Sequence, residues 1–146
     1  MKKIAFITGA TSGIGKATAL KAAAAGFDII ISGRRKERLL QLADDIRRMG
    51  AEVLPLAFDV RDPEAVKTAI GQLEDKWQNI AVLVNNAGLA VGTNPIQEGL
   101  LEDWERMIDT NIKGLLYITR EVAPLMVARQ NGHIVNLASI AGKEVY

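Results

Sequence analysis

The sequence predicts an α/β chain in which a doubly wound parallel sheet carries helices on both faces, and three observations predict it. A glycine-rich turn, Thr8-Gly9-Ala10-Thr11-Ser12-Gly13-Ile14-Gly15, joins a short apolar run to an alanine-rich segment near the N-terminus. Beyond it, short aliphatic runs alternate with stretches whose apolar residues recur at helical spacing. Each apparent functional residue closes one of those runs, and open α/β sheets bind ligands at the C-terminal ends of their strands. Right-handed crossovers with a reversal after the third strand then give the order 3-2-1-4-5, with a crevice between the first and fourth strands.

The first strand is Ile4-Ala5-Phe6-Ile7. The turn after it, with Gly9, Gly13 and Gly15, reads T-G-x-x-x-G-x-G rather than the commoner G-x-G-x-x-G. Glycine in a loop also serves plain turn geometry, whatever the function. Between a strand and a helix, however, such a turn makes a phosphate site, because free N–H groups and the positive dipole end attract an anion. Gly9, Thr11, Ser12, Gly13, Ile14 and Gly15 are therefore candidate cofactor-binding residues. This makes the fold Rossmann-type.

An alanine-rich helix runs to about Ala25 and stops at Gly26, and Phe27 to Ser32 form the second strand. Its end meets the adenosine ribose in a dinucleotide site, where a carboxylate favours NAD and a cation accommodates the 2′-phosphate of NADP. Gly33-Arg34-Arg35 stands there without an acid. Guanidinium matches phosphate with a planar fork of donors, so Arg34, and secondarily Arg35, point to NADP. The alternative is that both arginines open a solvated helix, as Lys36, Glu37 and Arg38 do.

Leu39, Leu42, Ala43, Ile46 and Met49 form the buried stripe of the second helix, which Gly50 ends. Residues 52–58 read as the third strand, and Pro55 places it at a sheet edge because proline cannot donate to a central ladder. Asp59-Val60 comes next, then a helix start at Asp62-Pro63-Glu64 with Val66, Ala69, Ile70, Leu73 and Trp77 as its stripe. Asp59 has a plain reading in turn chemistry. Ile80 to Val84 form the fourth strand, apolar throughout as a strand covered on both faces should be. It delivers Asn85-Asn86-Ala87-Gly88, whose small residues let backbone approach a ligand and whose asparagines can brace a neighbouring strand.

Residues 89–100 are a long loop on the same edge and a candidate wall of a substrate pocket. A helical region from about Leu101 to Arg129 is interrupted at Asn111-Ile112-Lys113-Gly114, and Pro124 should kink it or remove one hydrogen bond. Ile112, Leu115, Leu116, Thr119, Val122 and Ala123 form its stripe. Asn111 is mildly unfavourable within a helix, which points to solvent exposure or a cap. Gly132 to Ser139 read as the fifth strand. His133, the only histidine, opens that strand and has no catalytic assignment.

The 146 residues suit one domain or part of one, and 49% apolar content is enough for a core. A net charge of +1 gives no broad field to attract nucleic acid or an anionic membrane, so the expected partner is a small molecule. The absence of cysteine excludes disulfides and thiolate zinc sites, and no metal site is assigned. No apolar run approaches the ~20 residues that span a bilayer, and no signal peptide is evident, so a cytoplasmic location is expected.

The glycine turn, the Asn85-Asn86-Ala87-Gly88 tetrapeptide, Asn111 with its N-x-x-G pattern and Ser139 together resemble the short-chain dehydrogenase/reductase family. The resemblance runs from Ile4 to Tyr146. Residues 85–92, 102–111 and 132–136 are most similar to the bacterial 3-hydroxy acid, or serine-type, dehydrogenases. It implies hydride exchange between NADP and an alcohol or carbonyl substrate, with 3-hydroxy acids as the suggested class, and a homotetramer packed through its long helices. It also implies that Asp59 and Val60 contact the adenine, that Asn86, Ala87 and Gly88 lie along the cofactor, that Ser139 hydrogen-bonds the reacting oxygen, and that Asn111 distorts its helix and holds a relay water. The family's tyrosine and lysine form a Tyr-x-x-x-Lys motif a dozen or so residues beyond the serine. Tyr146 stands too near Ser139 for that spacing and reads as a loop residue. The expectation is therefore an NADP-dependent oxidoreductase of which residues 1–146 are a single NADP-binding domain, truncated before the Tyr-x-x-x-Lys motif and inactive alone. The alternative is a non-catalytic nucleotide-binding or interaction protein.

Overall fold

The computed structural model describes residues 2–144, so Tyr146 lies outside the described residues. Five parallel strands form one sheet in the order β3-β2-β1-β4-β5: β1 (Ile4–Ile7), β2 (Asp28–Gly33), β3 (Val53–Ala57), β4 (Ile80–Asn85) and β5 (His133–Asn136). The expected order is the observed one. Pro55 pairs opposite Ile31 in β3, at the edge, where its missing N–H faces no further strand.

The two sheet faces arise from side-chain alternation along the strands. Ala5, Ile7, Ile29 and Ile31 pack on one side against α1 (Gly13–Ala24) and α2 (Lys36–Arg48). Ile4, Phe6, Ile30 and Leu83 pack on the other against α3 (Pro63–Gly71) and α5 (Leu115–Arg129). Phe6, Ile29, Ile30 and Leu83 are fully buried, and each such side chain contributes about 1.5–3 kcal/mol. Alanines dominate α1, and with Gly15, Ala19 and Ala23 as its buried face the helix lies close to the sheet.

Several sequence expectations are corrected. Met49 is exposed, standing at the C-cap just after α2 has ended at Arg48. The third helix stops at Gly71, and a separate 3-10 turn, Asp75–Trp77, carries Trp77 into the core. The long helical region is two helices, α4 (Leu101–Ile108) and α5, joined by a π-helical segment, Asp109–Gly114. That wider segment shifts the phase of α5, so the buried stripe is Gly114, Ile118, Val122 and Met126. Ile112 and Leu116 are exposed, while Leu115, Thr119 and Ala123 are half-buried. Pro124 sits inside a continuous α5 on its exposed side, where water can serve the carbonyl it leaves free. The fifth strand ends at Asn136, three residues before Ser139, and all four of its residues are exposed, His133 among them.

Candidate functional site

The glycine turn begins at Thr8, which is buried at the end of β1. Its hydroxyl donates to the Val84 carbonyl (3.4 Å) and accepts from the Asn86 and Ala87 amides, each at 3.0 Å. The Asn86 side chain returns the connection, its Nδ2 donating to the carbonyls of Thr8 and Gly9 at 3.0 Å. These bonds hold the β1 and β4 termini side by side at the crevice expected from the strand order. Thr8→Val should lower stability by about 1–3 kcal/mol in urea denaturation, because it strands two amide donors, whereas Thr8→Ser should stay near the parent.

Close packing explains two of the glycines. Gly9 has φ +61°, and a Cβ there would stand 2.8 Å from the Ala87 Cα. A Cβ on Gly15 would collide with both the Asn86 amide and the Gly9 carbonyl. Gly15 therefore lets α1 start directly against the turn.

The N-terminus of α1 is left open. Ser12 occupies the N-cap position in extended conformation, yet its side chain makes no capping bond, so the first amides of the helix lack acceptors. At α3 the contrast is plain: Asp62 accepts from Glu64 and Ala65 and closes that end. The Ser12 hydroxyl instead accepts from Arg35 Nη2 at 3.3 Å, and the same nitrogen donates to Thr11 Oγ1 at 2.7 Å. Arg35 thus ties the end of β2 to the glycine turn, a tie reinforced by the Ala10 amide on the Ser32 carbonyl (3.0 Å).

A cleft of about 460 Å³ runs along these strand ends. It brings together Gly9, Thr11, Ser12, Gly13, Ile14, Arg34, Arg35, Asp59, Val60, Asn86, Ala87 and Gly88. Gly15 lies beneath it rather than in its wall. Asp59 is its one carboxylate among the described residues, and both oxygens are engaged by Arg61. Burial pushes the Asp59 carboxyl up, but the side-chain and backbone hydrogen bonds of Arg61, with the charges of Arg61 and Arg34, outweigh it and hold the pKa below the ordinary aspartate value.

Asn111 adjoins the cleft without lining it. It sits in the π-helical segment, where its amide makes a paired contact with Leu89: Nδ2 donates to the Leu89 carbonyl and Oδ1 accepts from the Leu89 amide, both at 2.8 Å. Ser139 lies beyond β5 on the same sheet edge, also outside the cleft wall, and caps a 3-10 turn by accepting from the Ala141 amide at 3.1 Å. Asn85 braces the sheet from within, Nδ2 donating to Thr119 Oγ1 (3.0 Å) and Asn136 Oδ1 (2.9 Å).

A parallel sheet in this order, with a T-G-x-x-x-G-x-G turn feeding an open helix and an asparagine bracket at the crevice, is matched along residues 3–146 by the family model described as short chain dehydrogenase. The chain belongs to the short chain dehydrogenase family. Among its relatives, a probable NADP-dependent dehydrogenase from Haemophilus influenzae is 50% identical over 97% of this chain and 55% of that protein. The NADP-dependent 3-hydroxy acid dehydrogenase YdfG of Salmonella typhimurium is 47% identical over 98% of this chain and 56% of its own length. Serine dehydrogenase from Escherichia coli superposes with a TM-score of 0.92 at 45% identity, covering 98% of this chain and 65% of that one. Its closed form complexed with NADP+ gives 0.90, covering 98% and 56%. This short chain dehydrogenase chain therefore spans about half the length of the curated relatives it matches.

Sequence reasoning assigned no site role to Thr8, Ser32, Gly33, Phe58 or Thr110, took Leu89 only as the start of a candidate substrate-pocket wall, and passed over Arg61. Thr8 carried a signal: a hydroxyl closing an otherwise apolar buried strand needs partners. Ser32 and Gly33 reach the cleft from the end of β2 and Thr110 from the π-helical segment, whereas Phe58 and Leu89 reach it, and Arg61 reaches Asp59, through the placement of loops. Among the described residues no helix is long and apolar enough to cross a membrane.

Proposed function

We propose that this chain is the cofactor-binding part of an NADP-dependent oxidoreductase that acts on an alcohol or carbonyl substrate, with 3-hydroxy acids as the substrate class. The observation that carries the reading is a cleft combining an uncapped helix N-terminus with two guanidinium groups and, among the described residues, only one carboxylate, itself paired. Such a wall suits a ligand with a pyrophosphate and an additional phosphate. The names of the similar NADP-dependent enzymes support it independently.

In this reading, the amides of Thr11, Ser12, Gly13 and Ile14 hold the pyrophosphate, and Gly9 and Gly15 allow the close approach. Arg34 takes the 2′-phosphate, while Arg35 assists it and holds the turn. Asp59 and Val60 border the base, and Asn86, Ala87 and Gly88 present backbone along the inner ribose. NADP, when bound, supplies or accepts the hydride. Ser139 hydrogen-bonds the substrate oxygen, and Asn111, already anchored on Leu89, orders a water for proton transfer. A cytoplasmic homotetramer is the assembly proposed, supported by exposed apolar side chains along α4 and α5, including Leu101, Ile108 and Leu116.

A polypeptide of these 146 residues is expected to bind NADPH and yet to show no NADPH oxidation with carbonyl substrates, because the family's tyrosine–lysine pair supplies the proton. Calorimetric titration and absorbance at the nicotinamide band check both. Failure to bind NADPH would overturn the reading, and turnover would show that the proton donor lies within these residues.

A further inference from the structure

Asp59 lines the cleft together with Arg34 and Arg35. An unpaired carboxylate at that place would oppose a phosphate-bearing ligand in two ways. It would repel the dianion directly, and it would draw the Arg34 guanidinium toward itself, an attraction already expressed in the lowered Asp59 pKa. Arg61 stands two residues on and opposes both effects with its own charge. Its Nε donates to the two Asp59 oxygens at 3.1 and 3.0 Å, its Nη2 donates to Oδ2 at 2.7 Å, and its backbone amide adds a fourth bond to Oδ1 at 3.0 Å.

Arg61 does not itself line the cleft. It lies behind Asp59, where the charge of Asp109 at the start of the π-helical segment also attracts it. The neighbouring Val60 anchors this turn: its Cγ2 lies where a Cβ on Gly114 would come within 2.6 Å. The pair is partly shielded, with side-chain exposures of 33% for Arg61 and 29% for Asp59, so solvent screens it less than a surface ion pair.

We propose that Arg61 is a positioning residue that sets the preference of the cleft for a 2′-phosphorylated dinucleotide: by neutralising Asp59 it leaves Arg34 free for the phosphate. This rests on the reading that the cleft binds NADP. A purely structural Arg61 would brace the turn and affect phosphorylated and unphosphorylated dinucleotides alike. The charge argument instead requires opposite effects from the two partners.

The test is the ratio of NADPH to NADH affinity, measured by calorimetric titration on the parent, Arg61→Ala, Asp59→Asn and the double variant. Arg61→Ala should lower the ratio about tenfold, the scale of one charged partner left uncompensated. Asp59→Asn should raise it, because the repulsive charge is gone and Arg61 remains. The double variant should return to within about threefold of the parent. Equal weakening of both dinucleotides by Arg61→Ala, or a double variant as poor in ratio as Arg61→Ala, would overturn the proposal. If circular dichroism shows Arg61→Ala unfolded, Asp59→Asn decides alone, and an unchanged ratio there overturns it. A parent that binds neither dinucleotide removes the NADP reading and this proposal together. A parent that prefers NADPH with a ratio untouched by every variant removes only the role of Arg61.

Discussion

Arg34→Ala is expected to abolish most of the preference for NADPH over NADH. NADPH affinity should fall by roughly 10–100-fold, the value of one or two charge-assisted hydrogen bonds, while NADH affinity stays near the parent. The reason for choosing Arg34 over its neighbour is geometric. Arg35 already commits donors to Thr11 and Ser12, so it organises the glycine turn as well as adding positive charge. Arg35→Ala should therefore weaken both dinucleotides, whereas Arg34→Ala should separate them. Raising the salt concentration should narrow the parent's preference, because the exposed guanidinium is screened over about 8–10 Å. Equal affinity of the parent for NADPH and NADH would remove the basis for assigning Arg34 to a phosphate.

Gly15→Ala is expected to be the most damaging single-methyl change in the chain. The new Cβ would meet the Asn86 amide nitrogen and the Gly9 carbonyl oxygen, and the second of these is backbone, which cannot rotate away. Either the start of α1 moves off the turn or the bracket between Asn86 and β1 breaks. The expected loss is about 1–3 kcal/mol in denaturant unfolding, together with loss of measurable NADPH binding. Gly13→Ala is the control on the same turn. A Cβ at Gly13 meets nothing within 4 Å, and only its φ of +56° opposes substitution, which costs about 1–2 kcal/mol. Gly13→Ala should therefore retain a bound dinucleotide more readily than Gly15→Ala. Parent-like melting and binding in Gly15→Ala would show that the helix start has slack the packing does not suggest.

The readable parts of the sequence are those in which one residue type has few physical alternatives. Pro55 put β3 at the edge because a missing N–H has no place in a central ladder. The apolar runs located the five strands within a few residues, and in β1 and β2 burial on both faces accounts for that continuous apolarity. Arg34, Asp59 and Asn86 were singled out as candidates because strand ends converge at one edge of a parallel sheet, and all three line the cleft there. Where several geometries suit the same residues, reading the sequence was less successful. The phase of α5 is the example: a simple helical period chose Ile112 and Leu116, and the π-helical segment turned Ile118 and Met126 inward instead.

By itself, then, the sequence determined the sheet order, the helix layers and the strand ends that carry the candidate site, because periodicity, glycine and proline act locally and leave little choice. The tertiary structure alone decided which partner each polar side chain takes. It turned Arg35 back onto Thr11 and Ser12, paired Arg61 with Asp59, and closed Asn111 on Leu89. Arg35 and Asn111 reach across long stretches of intervening chain, and all three depend on loop placement. A hydrogen bond or ion pair is settled by distances of a few tenths of an ångström, which no local preference of the chain encodes.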